Sequence, residues 1–159
     1  MNEMANSISG ESITLTDAAP DDFEALLALR IAAMRESLER IGRFDPARAR
    51  ERFWSGFSAG HTRHIEVARN RVGFVAVRPQ TDCLLLDHLY IHPGAQGQGI
   101  GAAVLVRTIE EARVKGLALR VGALRESASN RFYLRHGFLL VGQGEFDNYY
   151  IRVEDSALG

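Results

Sequence analysis

Residues 89–101, which read LYIHPGAQGQGIG, join the end of an apolar strand to a glycine-rich turn. The predicted strand covers residues 83–92, and Pro93 and Gly94 end it. A helix with an apolar stripe follows the glycines, so unpaired backbone N–H groups and the positive helix end point to one place. Glycines at alternate positions let the main chain approach a bound group closely. The stretch therefore predicts an anion cradle, with a pyrophosphate as its natural ligand.

Glycine spacing alone leaves a rival interpretation open. Gly97, Gly99 and Ala102 also satisfy the G-x-G-x-x-A form of the dinucleotide fingerprint, which would favour a nucleotide-dependent oxidoreductase. That fingerprint normally opens its domain directly at a strand end, whereas here most of the predicted strands come first and Pro93 intervenes. A Walker loop is excluded because Gly-Lys-Ser and Gly-Lys-Thr are absent from the sequence.

The periodicity of apolar residues predicts the remaining elements. A helix is expected to begin at Pro20, a second one at Asp45-Pro46, and a hairpin over residues 65–77 with its turn at 69–71. The order β-α-α-β-β-β-α-β-α-β-β favours a mixed α/β (α+β) domain, with one sheet flanked by helices, over a regular βαβ array. On the second predicted helix, the residues expected to face the core are Phe53, Trp54 and Phe57. On the helix that follows the glycine loop, the expected buried residues are Ala102, Leu105, Val106, Ile109 and Ala112.

Composition limits the class of protein. The 159 residues fit a Ser-rich, mobile segment at 1–11 and a single domain at 12–159. A formal charge of -1 gives no attraction to nucleic acid or to a membrane surface. The lone Cys83 is expected to be a small core residue and suits a reducing compartment. With no apolar run long enough to span a membrane and no signal pattern at the start, a cytoplasmic location is expected.

Two motifs in this chain resemble those of a known family. The strand end Leu89-Tyr90-Ile91-His92-Pro93 is followed by Gln96-x-x-Gly99-x-Gly101, and residues 130–138 read NRFYLRHGF. These segments are similar to motif A (Q/R-x-x-G-x-G/A) and to the F-Y-x-x-x-G-F element of the GNAT superfamily of N-acetyltransferases, in the family's order and separation. The resemblance covers residues from about 13 to 153. It implies the GNAT fold, a central mixed, mostly antiparallel sheet flanked by helices.

The resemblance also implies acetyl-CoA as cosubstrate and assigns residues to it. Many members place an Asn seven residues before the Tyr of the second motif, where this chain has Glu126. Asn130, one helical turn before Tyr133, is expected to make that contact instead. Tyr133 is expected to lie against the cofactor as well. The strand end and the glycine loop supply the other expected contacts, from Leu89, Tyr90, Ile91, Gln96, Gly97, Gln98, Gly99, Ile100, Gly101 and Ala102.

Direct acetyl transfer to a primary amine is the reaction that the resemblance implies, with no cysteine intermediate. Such chemistry needs a base for the ammonium proton and an acid for the departing thiolate. Tyr133 is assigned as the acid, which is its usual role in the family. Asp87 is assigned as the base; His88, on the opposite face of the strand, and a bound water stay open as alternatives.

The sequence does not identify the acceptor, which is a small-molecule or peptide amine. The fold would build its pocket from acidic and aromatic residues that suit a cation, namely Glu36, Trp54, Glu145, Asp147, Tyr149 and Tyr150. No metal is expected, because His61, His64, His88 and His92 have no carboxylate or thiol at ligand spacing. A homodimer stays open. The alternative function is a non-catalytic acetyl-CoA-binding or regulatory module on the same fold.

Overall fold

A computed structural model of the chain describes residues 9–153. The elements follow the predicted order. Most of the segment 1–11 lies outside the described residues, and Gly10–Ser12 form a short 3-10 helix. The strands are β1 Ile13–Asp17, β2 Thr62–Val67, β3 Asn70–Pro79, β4 Cys83–Ile91, β5 Ala118–Leu124, β6 Leu139–Gln143 and β7 Asp147–Arg152. The helices are α1 Phe23–Arg40, α2 Pro46–Gly56, α3 Ile100–Lys115 and α4 Ser129–Arg135.

The strands form a seven-stranded sheet in the order β1-β2-β3-β4-β5-β7-β6. β4 and β5 pair in parallel, with Cys83 opposite Ala118. The pairs β1–β2, β2–β3, β5–β7 and β6–β7 are antiparallel. The expectation of a mixed, mostly antiparallel sheet flanked by helices is therefore confirmed.

The described residues fall into two compact units, and the first contains residues up to Ala76 together with His88–Leu105. α1 and α2 bury their apolar faces here, and Asp45 caps α2 by accepting from the backbone N–H groups of Ala47 and Arg48 at 3.1 and 3.3 Å. The predicted start of α2 is thus confirmed. One cluster of the core of this unit consists of Phe23, Leu26, Leu27, Phe53 and Phe74.

A largely buried hydrogen bond joins the start of α1 to β2. Asp22 Oδ2 accepts from the backbone N–H of Ala19 at 2.8 Å and from His64 Nε2 at 2.9 Å, and His64 is only 2% exposed. Arg71 approaches the other carboxylate oxygen at 3.5 Å. The Ala19 hydrogen bond first, and then the His64 hydrogen bond, lower the pKa of Asp22.

The second unit contains Val77–Asp87 and the residues from Val106 onward. Its core is made by the first half of β4, by alternate residues of β5, and by aromatic side chains that follow them in the chain. Cys83 lies in this core, and its thiol donates to Gln80 Oε1 at 3.1 Å, so the small-core interpretation of Cys83 is confirmed. The buried members of this core include Cys83, Leu84, Leu86, Ala112, Leu119, Val121, Ala123, Tyr133, Phe138 and Tyr150.

Three local predictions were wrong. The hairpin turn consists of Ala68 and Arg69, both at positive φ, because a two-residue turn of this kind matches the twist of the strands. Trp54 is 65% exposed, since Phe53 beside it takes the inward position on α2. On α3, Val104 is buried whereas Val106 is exposed, so the buried face is rotated from the predicted one.

Among residues 9–153, no helix is both long and apolar enough to cross a membrane.

Candidate active site

The glycine loop lies in the first unit, between the end of β4 and the start of α3. Gly97 and Gly99 have φ values of +82° and +80°, a region that favours glycine. A Cβ at either position would meet nothing within 4 Å, so no described side chain fills the space beside these glycines. Gln96 Nε2 donates to the carbonyl oxygen of Ile91 at 2.9 Å, which anchors the loop to the strand end.

The first turn of α3 leaves backbone donors available. The N–H of Ala103 bonds to the carbonyl of Gly99 at 3.1 Å and is the first bond of the helix. The N–H groups of Ile100, Gly101 and Ala102 therefore have no acceptor within the helix. Ile100 is 2% exposed, and its buried side chain fixes the first turn in place. Amides at a helix N-terminus beside left-handed glycines form a site that suits a phosphate group.

Gly73 contacts the strand end that is predicted to bind the cofactor, and sequence reasoning missed it. A Cβ at this position of β3 would collide with the carbonyl oxygen of Tyr90 and lie 2.9 Å from Ile91 Cδ1. β3 can therefore approach the end of β4 only because residue 73 has no side chain. The hydrogen bond from His92 N–H to the Val72 carbonyl, at 2.8 Å, holds the same approach. A glycine inside a strand pattern was the signal available in the sequence.

The two candidate bases have different surroundings. Asp87 Oδ2 accepts from Arg78 Nε at 2.9 Å, with both side chains about one-third exposed. The ring of His88 packs against Phe53 and Tyr90, with centroid distances of 5.3 and 5.7 Å. Because side chains alternate along β4, Asp87 lies with Leu89 and Ile91 on one face, and His88 with Tyr90 on the other.

Tyr133, in the second unit, lies in an aromatic cluster. The residue is 6% exposed, and its ring centroid lies 5.2 Å from Phe132, 5.4 Å from Phe138 and 6.2 Å from Tyr150. α4 ends just before Gly137, whose φ of +87° lets the chain turn into β6. The motif residues Tyr133 and Phe138 thus share one packed cluster.

Asn130 is bound within the protein through both ends of its amide. Nδ2 donates to the carbonyl oxygens of Leu124 and Ser127, each at 2.9 Å, and lies 3.2 Å from that of Arg125. Oδ1 accepts from Asn148 Nδ2 and from the hydroxyl of Tyr150, each at 2.8 Å. The side chain therefore joins the end of β5, α4 and β7. Its contact with the cofactor stays a prediction.

The residues suggested for the acceptor pocket divide between surface and core. Trp54 and Tyr149 are exposed, and the carboxylate of Glu36 is also exposed, 4.0 Å from Arg40. Tyr150, by contrast, is 3% exposed, and its hydroxyl is bonded to Asn130.

The histidines are used for local structure. His61 Nδ1 lies 3.0 Å from Ser58 Oγ, His64 bonds to Asp22, and His92 Nδ1 accepts from the N–H of Gly94 at 3.0 Å. In the described part of the chain, no group of three or more His, Cys, Asp or Glu side chains could hold a metal ion.

Solved structures with the same fold come from several organisms. A PaiA N-acetyltransferase from Thermoplasma acidophilum, in complex with coenzyme A, matches with a TM-score of 0.74 and 16% identity over 90% of this chain and 99% of that one. An acetyltransferase from Thermus thermophilus matches with a TM-score of 0.68 and 19% identity over 89% and 96%. An N-acetylglutamate synthase from Neisseria gonorrhoeae, complexed with coenzyme A and L-arginine, matches with a TM-score of 0.64 and 18% identity over 90% of this chain and 33% of that one.

The sequence itself matches a family model. No curated protein sequence matches the chain. The model of the acetyltransferase (GNAT) domain matches residues 51–139, which is more than half of the chain and includes the glycine loop, Asn130 and Tyr133. The chain therefore belongs to the GNAT acetyltransferase family, and it is an acyltransferase that uses acetyl-CoA as its acetyl donor.

Proposed function

We propose that this protein transfers the acetyl group of acetyl-CoA directly to a primary amine on a small molecule or a peptide. The observation that supports this most strongly is the loop at residues 96–102. There the amides of Ile100, Gly101 and Ala102 have no acceptor within the helix, and the space beside Gly97 and Gly99 is open. The donors and the space both fit a pyrophosphate. Acetyl-CoA, when bound, supplies an acetyl group activated as a thioester.

The roles of the remaining residues follow from their chemistry. Leu89, Tyr90 and Ile91 at the end of β4, with Gln96 and Gln98, bind along the cofactor, and Asn130 adds a contact from α4. Asp87 accepts the ammonium proton, directly or through water, so that the neutral amine attacks the thioester carbonyl carbon. The carbon–sulfur bond then breaks, the hydroxyl of Tyr133 donates its proton to the departing sulfur, and the extra proton of the attacking nitrogen leaves through water to restore the Tyr133 phenol. His88 is the competing base.

The Asp87–Arg78 pair bears on the choice of base. Asp87 Oδ2 already accepts from Arg78 Nε at 2.9 Å, so this oxygen is engaged within the protein. Relay of the amine proton through water is therefore the form of this step that we favour.

The loop assignment is tested by one substitution and a matched control. Gly99→Ala introduces a side chain at a φ of +80°, and Gly42→Ala does the same at +71°, outside the loop and also in open space. Both variants carry a strain of about 1–2 kcal/mol. We expect only Gly99→Ala to weaken acetyl-CoA binding, by about tenfold or more, as measured by titration calorimetry. Equal affinity in the two variants would remove the pyrophosphate site from this loop.

Catalysis is tested separately by release of the free thiol of CoA from acetyl-CoA in the presence of a panel of amines. Turnover with at least one amine supports the transferase proposal. Tight acetyl-CoA binding without thiol release from any amine would favour the non-catalytic module.

The domain and cellular assignments also belong to the proposal. One N-acetyltransferase domain at residues 12–159 remains a prediction, and the family match covers residues 51–139 of it. A cytoplasmic location and a homodimer remain predictions.

A further inference from the structure

Arg30 of α1 differs from the other arginines of its helix. Its Nε is buried and has no hydrogen-bond partner in residues 9–153. The guanidinium carbon lies over the rings of Phe53 and Tyr90, at 5.7 and 5.9 Å from their centroids. The residue as a whole is only partly buried, so it is still reached by solvent. All three residues belong to the first unit.

The helix itself supplies no counter-ion to this guanidinium. Arg35 pairs with Glu39 at 2.9 Å, and Arg40 lies 4.0 Å from Glu36. Arg30 has no such neighbour along α1, because the positions three and four residues away on either side are apolar, namely Leu26, Leu27, Ala33 and Met34.

An unpaired cationic N–H in a buried position is costly, and native proteins contain few buried polar groups without partners. The two aromatic rings offset only part of this cost, because a cation–π contact supplies no hydrogen-bond acceptor. An anion that binds beside the rings would neutralise the guanidinium from the part of the side chain that solvent reaches. A carboxylate fits best, since its two oxygens match the planar fork of the guanidinium.

We propose that Arg30 binds a carboxylate of the acceptor, so that the substrate is an amino acid and not a simple amine. The proposal rests on the transferase function and names the substrate class for it. His88, one of the two candidate bases, packs against the same rings of Phe53 and Tyr90 as Arg30 does. A carboxylate bound at Arg30 therefore lies on the His88 face of β4, and the amine of the same molecule approaches His88 rather than Asp87. A free amino acid carries the carboxylate that this site needs, whereas its amide does not.

The test compares amine substrates that differ only in this charge. CoA release is measured for the standard amino acids and β-alanine and for the corresponding amides, with the wild type and with Arg30→Met, Arg30→Lys and Arg35→Met. Arg35→Met is the matched control, because Arg35 lies on the same helix and its charge is already paired with Glu39.

Arg30→Met is expected to raise KM for the acids by about tenfold to a hundredfold, to leave KM for the amides unchanged, and to leave kcat and acetyl-CoA affinity near the wild-type values. Arg30→Lys keeps the positive charge but lacks the planar guanidinium with its paired N–H donors. Its KM for the acids should therefore lie between those of the wild type and Arg30→Met. Arg35→Met should behave like the wild type. If Arg30 served only to support the packing of Phe53 and Tyr90, both substrate sets would change together.

A binding measurement covers the case in which no amine is turned over. Trp54 is the only tryptophan, and its ring lies 5.0 Å from that of Phe23, which stacks on Phe53 at 5.3 Å, so its fluorescence can report changes in this aromatic cluster. N-acetylglycine and N-acetylglycinamide are titrated in the presence of CoA. Tighter binding of the acid, lost in Arg30→Met and kept in Arg35→Met, supports the carboxylate site even if catalysis fails. Equal binding of acid and amide by the wild type, or a preference that survives in Arg30→Met, would overturn it.

Discussion

The side chain of Asn130 joins three segments of the second unit. Its amide nitrogen donates to the carbonyls of Leu124, at the end of β5, and Ser127, and its oxygen accepts from Asn148 and Tyr150 on β7. α4 has seven residues and is too short to be stable alone, so its position depends on such tertiary bonds. Tyr133 lies on α4, and the orientation of its hydroxyl therefore depends on Asn130.

Tyr133→Phe tests the proposed acid. The substitution keeps the ring that packs on Phe138 and removes the proton that the departing sulfur needs. We expect kcat to fall by about a hundredfold to ten-thousandfold, with acetyl-CoA affinity and melting temperature close to the wild type. Steady-state kinetics, calorimetry and thermal unfolding check these outcomes. A kcat that does not change would remove Tyr133 from the acid role.

The order of the secondary-structure elements was predictable from sequence because each has a clear apolar period and a chemical stop signal. Pro93 ends β4, and Asp45 caps α2 as expected. The rotation of α3 about its axis was not predictable, since Val104 and Val106 are equally apolar and only tertiary packing decides which is buried. The hairpin turn was misplaced because Ala68 and Arg69 carry none of the usual turn chemistry.

Only part of the candidate site was predictable from sequence, because some of its contacts join residues that are far apart in the chain. The glycine loop and Tyr133 carry local motifs, so their chemistry can be read from neighbouring residues. The contacts of Arg30 join residues of α1, α2 and β4, which no local pattern connects. The bonds of Asn130 to β7 likewise depend on strand pairing far along the chain.

Gly73→Ala tests the close approach of β3 to the end of β4. The added methyl group would push against the Tyr90 carbonyl, so we expect a loss of about 1–3 kcal/mol in the free energy of unfolding. Acetyl-CoA affinity should also fall, because the proposed contacts at residues 89–91 would shift. Urea unfolding and calorimetry measure the two effects. Gly60→Ala, where a Cβ meets nothing within 4 Å, is the control, and equal behaviour of the two variants would contradict this account.

The stability of the whole molecule is expected to depend on pH through Asp22. Its pKa is lowered in the folded protein, so its stabilising contribution is present above the ordinary value of 3.8 and is lost as the pH falls through the folded-state pKa. Asp22→Ala leaves the buried His64 without its acceptor and should cost about 1–3 kcal/mol at pH 7. The difference in the free energy of unfolding between Asp22→Ala and the wild type should be smaller at pH 3 than at pH 7. Urea unfolding at both pH values measures it.

Asp21→Ala is the control for that measurement, because Asp21 is the exposed neighbour of Asp22. If the wild type and Asp22→Ala lost the same amount of stability between pH 5 and pH 3, the proposed contribution of the Asp22–His64 hydrogen bond would be wrong.

The bonds of Asn130 have a consequence for how the protein is made. Both groups that donate to its side-chain oxygen, on Asn148 and Tyr150, lie near the C-terminal end of the described chain. During translation, α4 therefore leaves the ribosome before the strand that secures it. A nascent chain interrupted before residue 148 would contain the whole glycine loop and Tyr133 and would still lack the partners that hold this tyrosine in place.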